Sequence, residues 1–167
     1  NGTFQQTRPR AVIEVGPFTD IGTNPSAPYS QFFLRVPYSN TGDVAKNVHL
    51  FGHAYVGNPD QKLAEKEIVP EFDRAWAEHI RISPPIKVFT RDNNETYSDF
   101  TSGFSNQEMR DVQSGQKAMY ELFRMRYTDQ TGTWDVDRCN VVISVVINGR
   151  GTAVQCSFFN GGPLRAR

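Results

Sequence analysis

Residues 117–139, KAMYELFRMRYTDQTGTWDVDRC, constrain the fold more than any other stretch of the chain. They read as two strands folded back on one turn. Asp129, Gln130, Thr131 and Gly132 supply the turn chemistry: Asp bonds nearby backbone, and Gly accepts positive φ without a steric cost. Both arms are rich in aromatic and β-branched residues, which suit a pleated surface. The remaining strands must pack on this hairpin or continue from it. At 167 residues the chain suits one domain with a single core.

Other strand signals fall on both sides. Residues 10–15 (RAVIEV) place Ala11, Ile13 and Val15 on one face. Residues 16–29 carry Gly, Asn and Pro and read as a loop. In 31–37, Phe32, Leu34 and Val36 share a face, and Pro37 marks an end or an edge. A turn at Asn40, Thr41 and Gly42 leads to a third strand over 45–56. There His49, Phe51 and His53 oppose Val48, Leu50, Ala54 and Val56, and Gly52 marks a bulge or a close backbone approach.

The period then changes. Leu63, Ile68, Phe72, Trp76 and Ile80 recur at mostly helical spacing. Pro70 fits best in a first turn, so the expected helix covers 70–80, with 60–67 a separate weaker turn and the helix capping an open end of the strands. A short strand follows at 86–90. Residues 91–105 read as a polar loop around a weak strand at 96–100. Ser105 and Glu108 have capping-box spacing and predict a single helical turn.

After the hairpin, residues 141–147 (VVISVVI) are nearly all apolar, as in a strand buried on both faces. Asn148-Gly149 is a hairpin-turn dipeptide, and 152–159 return with Val154, Cys156 and Phe158 on one face. Residues 1–9 read as a linker, 10–160 as one β-sandwich domain and 161–167 as a disordered tail. The expected core is Ile13, Val15, Phe32, Leu34, Val36, Leu50, Tyr120, Leu122, Trp134, Val136, Val141, Ile143, Val145, Val154 and Phe158. About eight strands with short connections indicate an antiparallel sandwich or barrel.

A family resemblance rests on these residues. The segment 32–48, with Asn40-Thr41-Gly42 and then Ala45-Lys46-Asn47-Val48, resembles a pattern of immunoglobulin-like bacterial domains. Gly115, Tyr120, Arg124, Tyr127-Thr128-Asp129, Gly132 and Arg138-Cys139 resemble a hairpin of uncharacterised bacterial membrane-tethered proteins with a single immunoglobulin-like β-sandwich domain. Arg8-Pro9 fits the approach to such a domain. The resemblance implies a mainly β, immunoglobulin-like antiparallel sandwich with one amphipathic helix inserted. It also implies tethering through a segment absent from this chain and an extracytoplasmic, periplasmic face, with the cytoplasmic face as the alternative. It carries no catalytic residues and no cofactor.

The chain has 18 basic and 18 acidic residues, so it has no electrostatic footprint for nucleic acid. It has no stretch of about 18 apolar residues. It opens at Asn1 without an initiator Met, as a mature or trimmed product would, and without a signal peptide. Gly-x-Ser-x-Gly is absent, and Gly149-Arg150-Gly151 lacks the rest of a phosphate loop. Asn1-Gly2-Thr3 and Asn94-Glu95-Thr96 match the glycosylation sequon, which matters only in a eukaryotic secreted protein.

Chemistry-bearing side chains are few. His49 and His53 share a strand face but stand roughly 13 Å apart by strand rise, too far to ligate one metal without a bulge and help from His79 or a carboxylate. Asp135 and Asp137 alternate with Trp134 and Val136, the pattern of a half-buried strand with a wet face. Arg124 and Arg126 share a face and are expected to pair with carboxylates across the sheet rather than with an anionic ligand.

Cys139 and Cys156 flank the Asn148-Gly149 turn. A two-residue turn there sets Cys139 opposite Phe158 and Cys156 opposite Val141, a diagonal pair, and a bulge or longer loop changes that register. An oxidising compartment favours a disulfide, and a cytosolic one favours two buried thiols. The expected function is a non-catalytic interaction or scaffolding domain whose partner is a protein. The alternative is a metal-dependent enzyme or ligand binder using His49, His53 and nearby carboxylates.

Overall fold

The structure, a computed structural model, describes residues 8–24, 30–85, 87–144 and 152–167. The elements in order are β1 (Ile13–Val15), β2 (Thr19–Asn24), β3 (Ser30–Asn40), β4 (Ala45–Gly57), α1 (Gln61–Ile82), β5 (Lys87–Phe89), β6 (Asn93–Phe104), α2 (Asn106–Ser114), β7 (Ala118–Asp129), β8 (Gly132–Ser144), β9 (Thr152–Gln155) and β10 (Gly161–Arg165). The fold is mainly β, and its sheets are antiparallel. In the smaller sheet, β1 and β2 share one edge of β3 and β6 takes the other. The larger sheet runs β5-β4-β7-β8, with β9 and β10 dividing the outer edge of β8. It curls like half of a barrel.

The β7–β8 hairpin is the spine of the larger sheet. β7 and β8 stay in register from Met119↔Val142 to Asp129↔Gly132, leaving Gln130 and Thr131 as the turn. Asp129 Oδ1 accepts from the Thr131 amide at 2.8 Å, and Asp129 Oδ2 accepts from the Ala11 amide at 2.9 Å. The turn residue thus also fixes the approach to β1. At the same end of β1, Asn40 Oδ1 accepts from the amides of Val12 and Gly42, while its Nδ2 donates to the carbonyls of Asp43 and Phe89. A side chain at Gly42 would meet the Arg10 carbonyl oxygen at 2.4 Å, so the chain crossing there needs glycine.

Both faces of the larger sheet are covered. Between the sheets, Phe32, Leu34 and Val36 of β3 pack with Val48 and Leu50 of β4 and with Phe123 and Met125 of β7. On the opposite face, Ala64, Ile68, Phe72 and Trp76 of α1 pack on Tyr120, Leu122, Cys139, Val141 and Phe158. Each such apolar side chain contributes about 1.5–3 kcal/mol when fully buried.

The helix differs from the expectation over 70–80. It is one 22-residue helix that starts at the Asp60 cap and runs through Pro70, and it lies on a sheet face instead of capping an open end. Asp60 Oδ1 accepts from the Lys62 and Leu63 amides and starts the helix. Pro70 is exposed, as is Lys66 one turn earlier, so the carbonyl left without its donor faces solvent. Buried residues on both sides of Pro70 belong to one apolar cluster, and their packing outweighs the lost hydrogen bond.

Other expectations change as well. The polar loop expected over 91–105 is mostly β6, a 12-residue strand paired along β3 from Phe104 to Asn93. Its side chains are polar because it is an edge strand, and inward-pointing charges are one way such an edge is kept from pairing with other chains. The loop expected over 16–29 contains β2. The capping box at Ser105 and Glu108 is present, but α2 runs to Ser114 and ends at Gly115 in the left-handed conformation. Residues 161–165, expected in a disordered tail, form β10 on the lower half of β8, with the Ala166 amide donating to the Thr133 carbonyl. That half of β8 has no other outer neighbour among the described residues, which is what the tail supplies. Val154 is 46% exposed because β9 is an edge strand. The Asn148-Gly149 turn, Val145 and the Ile143 side chain lie outside what the structure describes.

Candidate groove between helix and tail

Alternation along β7 sends Arg124 and Arg126 to the α1 side of the sheet. The register sets Asp137 and Asp135 of β8 directly opposite them. Both pairs are two-pronged. Arg124 Nε and Nη2 donate to Asp137 at 2.7 and 3.0 Å, and Arg126 Nε and Nη2 donate to Asp135 at 2.7 and 2.8 Å. The expected cross-strand pairing is therefore present, and the aspartate face of β8 is a floor of ion pairs under the helix. Burial raises the Asp137 carboxyl above its ordinary range against the pull of Arg124, with Asp135 and Asp73 adding to the rise. The fork geometry keeps this pair ionised at neutral pH.

Aromatic rings hold the guanidinium groups flat. Arg124 lies over the rings of Phe72, Trp76 and Phe159 at 5.4, 5.4 and 5.1 Å. Arg126 lies over Trp76 at 5.4 Å. Arginine suits this position because it forks onto a carboxylate and stacks on a ring at once. Above this floor a groove of about 920 Å³ opens between α1 and the tail. Asp73, Trp76, Ala77 and Ile80 form the helix wall, and Leu164 to Arg167 form the other. Leu164 is 65% exposed there. Arg165 lies over Trp134 at 4.8 Å, which pins the tail wall to the sheet. A side chain at Gly162 would meet the Asp135 carbonyl oxygen at 2.4 Å, so this wall can approach the floor only with glycine.

The two candidate histidines do not come together. His49 packs edge-on to His79 at 6.3 Å and to Trp76 at 6.5 Å. Phe51 stacks on His53 at 6.2 Å and on His79 at 5.1 Å, so it stands between them. His49 Nδ1 and His79 Nε2 are buried and have no hydrogen-bond partner. Burial lowers the pKa of both, and for His49 the neighbouring His79 and Arg126 lower it further. Among the described residues no group of three or more His, Cys, Asp or Glu side chains is placed to hold a metal ion. Gly52 makes a close approach without a bulge: its amide donates to the Tyr97 hydroxyl at 3.0 Å.

Cys139 and Cys156 form a disulfide, with Cα atoms 5.4 Å apart. The pairing Asn140↔Gln155 and Val141↔Val154 sets the two cysteines opposite each other, two residues away from the diagonal register that a tight turn at Asn148-Gly149 would give. The pairing shifts between Val142 and Ser144, as a longer connection allows. Asn160 clamps this corner: its Oδ1 accepts from the Cys139 amide and its Nδ2 donates to the Cys156 and Phe158 carbonyls.

Sequence reasoning missed Glu121, which is fully buried between the sheets. Its parity was the available signal, since Met119, Phe123, Met125 and Tyr127 occupy the same face of the strand. No family model, no curated protein and no solved structure matches this chain.

Proposed function

We propose that this chain is a non-catalytic interaction domain that seats a protein segment in the groove between α1 and β10. The observation that carries the reading is that the charged groups flooring the groove already satisfy one another, while its rim exposes Leu164. Such a surface offers shape and apolar contact at the edges and fixed polarity at the centre, as a protein-binding surface does. The immunoglobulin-like sandwich, membrane tethering in a bacterium and an extracytoplasmic position belong to the same proposal. The disulfide supports the oxidising side of the membrane.

Site-specific photo-crosslinking in the native host tests it. A crosslinker at Leu164 should capture one discrete protein, a crosslinker at Val88 on β5 should not, and Ala77→Trp should abolish the capture by filling the groove. Equal capture from both positions, or capture indifferent to Ala77→Trp, overturns the reading.

The partnerless nitrogens of His49 and His79 favour one second reading, a metal-dependent ligand binder with His79 beside His49 in place of His53. Stoichiometric zinc or copper in protein purified without chelator supports it, and metal-free protein removes it.

A further inference from the structure

Glu121 sits where a charge has the least support. It is 0% exposed, and neither carboxyl oxygen meets a hydrogen-bond partner. The register sets it beside Ala54 on β4 and Asn140 on β8. Ala54 is also where the two sheets meet edge to edge. The Ala54 amide donates to Thr101 Oγ1 of β6 at 3.1 Å, and that hydroxyl donates to Asp99 Oδ2 at 2.9 Å. The Gly52 amide donates to Tyr97 of the same strand. β5 pairs with β4 only at Ala45 and Val48, so beyond Val48 these β6 side chains do what a neighbouring strand would do.

The groups that face Glu121 set its protonation. From β6, Asp99 is the carboxylate that acts on it. On β4 the residues sharing its face are apolar, and His53 lies on the opposite face, where Asp99 acts on it too. On β8 the cation of this face, Arg138, donates to the carbonyls of Asp137 and Gly161 at the sheet's outer edge. α2 sends Met109 inward, while its Glu108 is held at the Ser105 amide. β3 contributes Phe32, Leu34 and Val36. Desolvation, with Asp99 adding to it, therefore holds the Glu121 carboxyl neutral well above the ordinary carboxylate range.

We propose that Glu121, buried without a partner beside Ala54, is a latch on the seam between β4 and β6, closed while its carboxyl keeps a proton and opened by the loss of that proton. With the proton on, Glu121 packs as a neutral side chain. With it off, an unpaired carboxylate is buried between the sheets, with Asp99 adding to the repulsion, and such a charge is far costlier than parting the seam. The part that yields is the pair of side-chain contacts from Tyr97 and Thr101, because the strand ladders on either side carry many more hydrogen bonds. The sign follows from linkage. A carboxyl with a raised folded pKa adds stability that is complete below its ordinary value and disappears as pH rises through the folded value.

The test uses the full chain. Carboxyl-carbon NMR follows the ionisation of Glu121 from about pH 4 to pH 10, and hydrogen exchange follows the Gly52 and Ala54 amides over the same range. The wild type should show Glu121 titrating well above the ordinary range, with protection at Gly52 and Ala54 lost in step with it. Amides of the β3–β6 ladder should stay protected, and Glu121→Gln should keep both seam amides protected throughout. Titration of Glu121 in the ordinary range overturns the proposal. Seam opening over the same pH range in Glu121→Gln also overturns it. If that variant does not fold, the wild-type titration and exchange decide alone.

Discussion

The two faces of β7 solve the problem of a buried charge in opposite ways. Toward the smaller sheet, Met119, Phe123, Met125 and Tyr127 make a dry surface interrupted by Glu121, which has no partner. Toward α1, Tyr120 and Leu122 are as dry, but the strand then turns to Arg124 and Arg126, each forked onto an aspartate and stacked on a ring. On one face the charge is removed by a proton. On the other it is matched by a second charge before it is covered. The first solution leaves a face sensitive to pH, and the second leaves a groove whose floor stays charged. The position of each charge decides which solution is open to it: Arg124 and Arg126 have carboxylates in register, while Glu121 has Asn140 and Ala54.

Truncation of one large ring on each face gives the largest expected effect. Phe123→Ala and Phe72→Ala should each cost about 3–5 kcal/mol in urea unfolding, since both rings are fully buried. If the α1 layer unfolds as a unit of its own, Phe72→Ala will also lower the urea slope and separate two transitions. One transition with an unchanged slope would make the two faces a single cooperative core.

The disulfide belongs to the α1 face alone. Its 17-residue separation corresponds to about 3 kcal/mol in the chain-entropy picture. Cys139→Ala with Cys156→Ala should lose about that much, and hydrogen exchange should accelerate at Cys139, Cys156 and Asn160 before it does at β3. Equal acceleration across both sheets would mean that the bond braces the whole domain.

Breaking one ion pair is a smaller change, because the pair on the groove floor is only part-buried. Arg124→Ala leaves Asp137 part-buried without its fork and should cost about 2–3 kcal/mol. Replacing both partners, Arg124→Leu with Asp137→Leu, should recover most of that loss and cap the groove with apolar surface. A double variant no more stable than Arg124→Ala would show that the pair holds the floor by itself.

The smallest effects are those of pH, and the two faces give them opposite signs. His49, His53 and His79 have lowered pKa values, with burial the first cause for each. They take up protons more readily unfolded than folded. The stability they support is complete above about pH 6.5 and falls as the medium becomes more acidic. Glu121 acts in the other direction, at the alkaline side. Urea midpoints measured across pH should therefore peak in between. His79→Gln should flatten the acidic limb, and Glu121→Gln the alkaline one. A variant that flattens the wrong limb breaks the assignment of charge chemistry to faces.

Much of the central hairpin was legible because its signals are local. Asp129 and Gly132 mark the turn, and Arg124 and Arg126 advertise carboxylates on the neighbouring strand. The Ser105–Glu108 box announced α2 for the same reason, as four consecutive residues carry all of its start chemistry. The face of β7 formed by Met119, Phe123, Met125 and Tyr127 was missing from the expected core, because the strand is buried on both sides and does not alternate over 119–123. The groove was not legible. Its helix wall needed α1 to continue through Pro70, and its tail wall needed Gly161–Arg165 to leave the expected disorder and pair with β8. Both outcomes depend on surfaces supplied by distant residues.

The sequence by itself determined the local geometry: where the β7–β8 turn falls, which arginines share a strand face, which side chains start α2. Those choices depend on backbone sterics and hydrogen bonds within a few residues. Only the tertiary structure decided that the polar stretch 93–104 is a full strand, that Cys139 faces Cys156, and that Glu121 is buried without a partner. Each of these depends on pairing register and burial between segments far apart in the chain. The free energy of such contacts belongs to the assembled core, so no short window of residues records it.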